Sequence, residues 1–319
     1  MLIDSARYES LKTLHFSDNE NIDLIDHLGG FDANLKNPVL DVLVARKFPN
    51  AIYLQYYVDP ILKKQYKTID INFSSKLQDS INFSRHKAYN THPDINYKNF
   101  ICSFNGTPHV SRKLLVSILQ KFKYFNPMYC SKNFSYSTDV LDGHINDYVN
   151  DNSFYNKFFI GNDSLDFFQT KYSFGHERFD HGNNIYTLEN KLTESFLHIV
   201  SETMATSYYP FVTEKFLYSV VTRGLFLSYA QPGWHSHVEK YYGFKKYTKL
   251  FDYRFDDIKN PVERLIELIT MISKFSVLST ADWHDLYQIE QDTIEYNYNH
   301  YFSNDYKRHL EKACNQQLL

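Results

Sequence analysis

Two short apolar runs separated by a helix-like stretch dominate the middle of the chain. Residues 196–201 (FLHIVS) form a mostly apolar run of strand length, and residues 225–229 (LFLSY) form a second one. Between them, apolar residues after Thr213 recur with helical spacing, and Gly224 stands where such a helix should end. A strand, a helix and a second strand in this order predict a βαβ unit with two parallel strands.

The same succession is predicted earlier in the chain. Residues 99–104 (NFICSF) resemble a strand, and a helix with one apolar side is expected after Ser111, its candidate N-cap. Residues 124–131 would hold the next strand. A second domain therefore begins near Lys98. Further helices are predicted over residues 235–242, 261–275 and 281–319.

The first 97 residues carry weaker patterns. Residues 21–28 (NIDLIDHL) predict a short helix that ends at Gly29-Gly30. Residues 51–58 and 69–73 predict strands. Together these patterns indicate a smaller α/β domain over residues 1–97.

Three titratable residues cluster around the glycine pair of this first domain: Asp26, His27 and Asp32. An acid and a histidine in such a loop are candidates for the general base that activates an acceptor hydroxyl. The alternative interpretation is the end of a helix with solvated caps.

Length, charge and cysteine content narrow the class of protein. The chain has 319 residues, which favours two domains, and a formal net charge of −3, which argues against a surface built to bind nucleic acid everywhere. Its three cysteines are far apart and odd in number, which favours a reducing compartment. Because we find neither a run of 18 apolar residues nor a signal-peptide core, we expect a cytoplasmic protein without a membrane span.

The start of the predicted central helix is a candidate anion site. Ligands of parallel sheets bind beyond the carboxyl ends of the strands. There, Glu202 follows the first strand, and Thr213, Glu214 and Lys215 begin the helix, whose free amides and positive dipole suit phosphate. Tyr209, in the connecting loop, would stack on a base or sugar, or else pack in the core. The alternative interpretation is an ordinary helix start, in which Glu214 is favoured only by the helix dipole and Lys215 is a solvated surface charge.

The earlier strand and helix place a second set of residues at the same edge: Asn105, His109 and Arg112. Arginine is suited to phosphate because its planar guanidinium can hold two phosphate oxygens at once. A solvated arginine in a first helical turn is the alternative.

These segments resemble the donor-site motif of the alpha-1,3-fucosyltransferase family. The likeness lies in Glu202-Thr203 and in residues 211–216 (FVTEKF), followed by a short strand and a Pro-Gly turn. More loosely, the segments are similar to bacterial and phage-type glycosyltransferases that share the motif. The resemblance implies that Glu214 and Lys215 contact the donor sugar and its diphosphate, and that Arg112 reaches the donor phosphates.

The chain departs from the family pattern at two places. The family has Asn-Ser after the first acid, where this chain has Thr203-Met204. The family also has a Pro-Val or Pro-Ile pair with glycine after the next strand, where residues 224–227 read GLFL. The identity of the sugar therefore stays open.

The resemblance implies a GT-B fold: two Rossmann-like α/β domains with a cleft between them. The donor domain would span residues 98–280, and the final helical stretch, 281–319, would pack back on the first domain. Transfer would be inverting, with no metal and no cofactor. The spacing of His176 and His181 also lacks the i,i+4 geometry of a helical zinc pair.

The acceptor has two candidate classes. A glycan or lipid-linked sugar is the partner typical of the family. Abundant Tyr (27) and Phe (26) beside scarce Gly (10) and Pro (9) indicate an AT-rich gene, as in a phage or an AT-rich bacterium. The alternative acceptor is therefore DNA, with a phage enzyme that glycosylates its 5-hydroxymethylated bases. Its basic groove would use two lysine clusters: Lys121 with Lys123, and Lys245, Lys246 with Lys249. A non-catalytic nucleotide-binding module is the alternative from another class of function.

Overall fold

The backbone of the chain contains two separate parallel sheets. The structure, a computed structural model, describes residues 2–4, 24–27, 52–55, 68–69, 95–105, 110–121, 128–132, 191–202, 205, 210, 212, 215–303, 305–306, 308–309 and 312. The first sheet has the order β1 (Leu2–Asp4), β2 (Leu24–His27), β3 (Ile52–Gln55), β4 (Thr68–Ile69). The second has the order β6 (Met128–Lys132), β5 (Asn99–Asn105), β7 (Ser195–Ser201), β8 (Leu225–Tyr229). All neighbouring strands run parallel.

Helices follow the strands of the second sheet, so the described part of the chain is α/β. They are α1 (Val110–Lys121), α2 (Lys215–Val221), α3 (Trp234–Tyr242), a 3₁₀ helix (Tyr253–Asp257), α4 (Pro261–Ser273), α5 (Thr280–Ile289) and α6 (Gln291–Phe302).

Helices α2 and α4 cover opposite faces of the second sheet. Phe216 of α2 packs against Phe226 of β8, with ring centroids 5.8 Å apart. The hydroxyl of Tyr229, also on β8, donates to the carbonyl of Pro261 in α4 at 3.2 Å. Because side chains alternate along a strand, Phe226 and Tyr229 lie on different faces. The second sheet is therefore the middle layer of three.

Helices α5 and α6 share the core of the second sheet. Trp283 of α5 stacks on Phe100 of β5 and Phe196 of β7, with centroids 5.6 and 5.9 Å away. Tyr301 of α6 belongs to the same buried cluster. Packing of residues 281–319 against residues 1–97 stays a prediction, as do the domain boundaries.

The predicted βαβ unit is confirmed: β7, α2 and β8 follow one another, and the two strands pair in parallel. Strand β5 is confirmed as well. Gly224, however, does not take the left-handed conformation at the end of α2. Arg223 has the positive φ, of 52°. The Gly224 N–H donates to the carbonyl of Ser219 at 2.8 Å, which closes the helix.

Three helix predictions need correction. Residues 24–27 form strand β2, because the backbone pairs with β1 on one side and β3 on the other, and this pairing overrides the local helical pattern of residues 21–28. Ser111 lies inside the first turn of α1, which begins at Val110, rather than before it. The helix predicted over 281–319 is interrupted at Glu290, whose buried carboxylate accepts the backbone N–H groups of Lys249 (2.6 Å) and Leu250 (3.2 Å).

Candidate functional site

The strand order of the second sheet creates a switch point between β5 and β7. The chain leaves β5 for β6 on one side, then returns to β7 on the other side of β5 and continues to β8. Connections that diverge from two adjacent parallel strands leave a crevice at their carboxyl ends, and ligands of open α/β sheets bind there. In the first sheet the four strands follow one another in chain order, so this argument predicts no ligand site between them.

At the carboxyl end of β5 the side chains are polar and buried. Asn105, the last residue of the strand, is 1% exposed and donates through Nδ2 to Ser103 Oγ at 3.1 Å. Arg112 follows in the first turn of α1 and is 4% exposed. Its guanidinium therefore lies below the protein surface, and its contact with a ligand stays a prediction. His109 lies outside the described residues.

At the carboxyl end of β7 a buried carboxylate meets an accessible lysine. Glu202 is 1% exposed, and its N–H donates to the carbonyl of Tyr229 at 3.1 Å, which extends the pairing with β8. Its Oε2 lies 3.8 Å from Nζ of Lys215, the first residue of α2. The Lys215 side chain keeps 25% of its surface exposed, whereas the Glu202 side chain has none. Of these two charged side chains, Lys215 is thus the one that a solute can reach.

The remaining predicted residues of this site, Tyr209, Thr213 and Glu214, lie outside the described residues. Helix α2 has seven residues. The positive charge at this edge is therefore better assigned to the Lys215 ammonium than to the dipole of a two-turn helix.

Ser201 is a polar residue of this edge that sequence analysis missed. It is 1% exposed, and its Oγ has no hydrogen-bond partner within the described part of the chain. Cys102 pairs with His198, and continuing this register brings Asn105 level with Ser201. The available sequence signal was a serine directly after the apolar pair Ile199-Val200, at the end of the strand. Buried polar atoms without a partner are uncommon and mark candidate ligand contacts.

The candidate general bases stand at a comparable edge of the first sheet. Asp26 and His27 are the last two residues of β2, and Asp26 is in register with Asp4 of β1. They therefore do not end a helix, as the sequence pattern predicted. Asp32 lies outside the described residues. A role as base for any of the three stays a prediction.

A buried His–Asp pair near the end of β8 has a structural explanation. His235 Nδ1 donates to Asp256 Oδ1 at 2.7 Å, while Nε2 accepts the backbone N–H of Ser228 at 2.9 Å. With both ring nitrogens engaged by protein groups, the imidazole has no lone pair left to act as a base. Asp256 also accepts the N–H groups of His235 and Ser236 at the start of α3.

This network fixes the charge of Asp256. Burial alone would raise the pKa of its carboxyl, but the His235 ring and the two backbone donors outweigh it and lower the pKa below the ordinary value. The pair ties α3, β8 and the 3₁₀ helix together, and sequence spacing gave no sign of it because its members are 21 residues apart.

Comparison with family models, with curated proteins and with solved structures finds no match to this chain. Among the described residues, no helix has the length and apolar character needed to cross a membrane. Within the same residues, no three His, Cys, Asp or Glu side chains are grouped as a metal site requires.

Proposed function

We propose that this chain is a glycosyltransferase that moves a sugar from a nucleotide-diphosphate donor to an acceptor hydroxyl, and that its two sheets belong to the two domains of a GT-B fold. The observation that carries the proposal is the pair at the switch point: Lys215, partly exposed, beside the buried carboxylate of Glu202. The motif resemblance assigns the donor diphosphate to the same lysine. Two independent arguments, topology and motif, thus lead to one residue.

The chemistry requires a cation where the diphosphate departs. The acceptor oxygen forms a bond to the anomeric carbon as its proton passes to a base, and the carbon–oxygen bond to the diphosphate breaks with both electrons leaving on oxygen. Negative charge grows on that oxygen, and a fixed ammonium nearby stabilises it. Asp26, His27 and Asp32 are the proposed bases. No cofactor or metal enters this scheme.

The carboxylate of Glu202 explains what keeps the Lys215 ammonium in place. One carboxylate at 3.8 Å holds the ammonium near the end of β7. A diphosphate carries more negative charge than one carboxylate, so it competes successfully for the lysine. In this scheme the Glu202 carboxylate also accepts hydrogen bonds from donor hydroxyls, beside the contact with the donor sugar that the resemblance gives to Glu214.

A panel of nucleotide sugars tests the proposal. The melting temperature is measured with uridine-, guanosine- and thymidine-diphosphate sugars, because a ligand at 100 to 1,000 times its Kd stabilises the folded state by about 2.7–4.1 kcal/mol. Any ligand that binds is then assayed for release or transfer of its sugar. Binding with the sugar left intact under all acceptor conditions would favour a non-catalytic nucleotide-binding module.

Lys215→Ala and Lys98→Ala form a matched pair for this experiment. Lys98 Nζ lies 2.6 Å from Glu194 Oε1, and these residues precede β5 and β7 at the opposite edge of the same sheet. Each variant removes one Lys–Glu ion pair, but only Lys215→Ala should abolish the ligand-induced shift. Equal shifts in both variants would contradict the proposed site.

A polyanionic acceptor such as DNA is the second candidate, and one surface favours it. An open concavity of about 470 Å³ is lined by Lys246, Lys249 and Lys274, with Tyr253 and Asp252 beside them. If duplex DNA docks there, log Kd should depend linearly on log salt, and a Lys246→Ala/Lys249→Ala variant should lower the slope by about 2. An unchanged slope would remove this candidate.

A further inference from the structure

One buried arginine connects three chain segments at the carboxyl edge of the second sheet. Arg264 lies in the first turn of α4 and is 1% exposed. Its Nε donates to the carbonyl of Ala230 at 2.9 Å, and its Nη2 donates to the carbonyl of Ala205. Its Nη1 donates to the carbonyls of Ile258 and, at 3.2 Å, Lys259.

Two of these segments border the candidate site. Ala205 lies in the connection from β7 to α2, three positions after Glu202, and is itself buried. Ala230 follows the last residue of β8. The carbonyls of 258 and 259 precede α4. A single guanidinium therefore joins Ala205, in the connection that leads from Glu202 to Lys215, to Ala230 in the next connection along the sheet.

We propose that Arg264 is a positioning residue for the anion site: it fixes the loop between Glu202 and Lys215 in the arrangement that binds the donor diphosphate. For the ligand this inference rests on the proposed function, whereas the fastening of the loop does not. Arginine suits the task because its five N–H groups diverge in a rigid plane and always carry charge. A lysine ammonium at the same position is a single point of donation and cannot meet carbonyls from three directions with the same geometry.

The test compares Arg264→Lys with Arg223→Lys. Arg223 is a matched control because it is also buried, at 6% exposure, with its Nε 2.8 Å from Glu295 Oε1 and its guanidinium 3.5 Å above the Tyr298 ring. It precedes β8 at the other edge of the sheet. Both variants lose a buried guanidinium, so a general loss of stability affects both.

Two measurements distinguish a positioning role of Arg264 from a general contribution to stability. Amide hydrogen exchange of peptides covering 202–212, without ligand, should accelerate at least about tenfold in Arg264→Lys and stay at the wild-type rate in Arg223→Lys, because lost hydrogen bonds lower the local opening free energy. The Kd for guanosine diphosphate and uridine diphosphate, measured by calorimetry, should rise at least about tenfold in Arg264→Lys alone for whichever nucleotide the wild type binds.

Exchange at 202–212 that is unchanged in Arg264→Lys would overturn the inference, and so would a wild-type Kd. If the wild-type protein binds neither nucleotide, the Kd is measured for thymidine diphosphate instead. If it binds none of the three, the proposed function fails, while the exchange result still decides the role of Arg264. Should Arg264→Lys not fold, exchange in the wild type at increasing denaturant decides: residues 202–212 and 230–233 should open as one cooperative unit. Independent opening of the two loops would overturn the inference.

Discussion

Replacing Gly224 by alanine places a methyl group inside a buried histidine ring. An alanine Cβ at this position would lie 2.1 Å from His198 Cε1, 2.7 Å from Nδ1 and 2.8 Å from Nε2. The ring cannot move freely, because His198 is 2% exposed and its Nε2 bonds the carbonyl of Leu192 at 2.8 Å. Gly224 is therefore required for close approach and not for a left-handed backbone.

The expected cost follows from these contacts. Overpacking a core costs about 1–3 kcal/mol, and straining the bond to Leu192 adds about 0.5–1.5 kcal/mol. Alanine restricts the unfolded chain more than glycine does, which offsets about 0.4–1 kcal/mol of this cost. We therefore expect Gly224→Ala to lower the free energy of unfolding by about 2 kcal/mol. Urea unfolding measures this value.

A double-mutant cycle identifies the cause. His198→Ala removes the ring, so adding Gly224→Ala in that background should cost less than about 0.5 kcal/mol, a coupling of about 1.5 kcal/mol between the two sites. If Gly224→Ala is equally costly in both backgrounds, the clash with the ring is not its cause.

Three further predictions concern residues in the second sheet and in the helices around it. Lys215→Ala should lower sugar transfer about 100- to 1,000-fold, whereas Lys98→Ala leaves it near wild type; comparable turnover in both would refute the role of Lys215. Burial lowers the pKa of His198 to about 4 and that of His237 to about 3, so both stay neutral in the folded protein while the unfolded chain takes up protons below pH 6.5. Together these two histidines should lower stability from pH 6.5 toward 4 by up to about 2.7 kcal/mol per pH unit, and in urea unfolding His237→Phe should reduce the slope by about 1.4 kcal/mol per pH unit. Asp256→Ala should cost at least about 3 kcal/mol in the same assay, because it removes the acceptor of an imidazole and two helix amides; a loss under 1 kcal/mol would contradict that network.

Local sequence pattern was sufficient where it agreed with the tertiary environment. The strands β5, β7 and β8 are buried on both faces, so their sequences are mostly apolar without strict alternation, and the helical spacing of α2 is unambiguous between two of them. The polar residues that end these strands, Asn105 and Glu202, could be placed at the carboxyl edge on that basis.

Pattern failed where distant segments decide the structure. The backbone of residues 24–27 is a strand because two neighbours pair with it, and the α5–α6 break depends on Glu290 reaching backbone groups some 40 positions earlier. The hydrogen bonds of Arg264 to Ala205 and Ala230 span 59 and 34 positions. Periodicity within a short window carries no information about such contacts, so the residue proposed to position the site could not be predicted from the sequence.

The most direct test of the proposed site is a hydrogen-exchange map of the wild-type protein with and without the nucleotide sugar that gives the largest rise in melting temperature. The ligand should slow exchange at the carboxyl ends of β5 and β7 and at the start of α2, in peptides covering 103–112 and 200–218, and Lys215→Ala should abolish this protection. Protection confined to other segments, or protection that persists in Lys215→Ala, would contradict a donor site at the switch point.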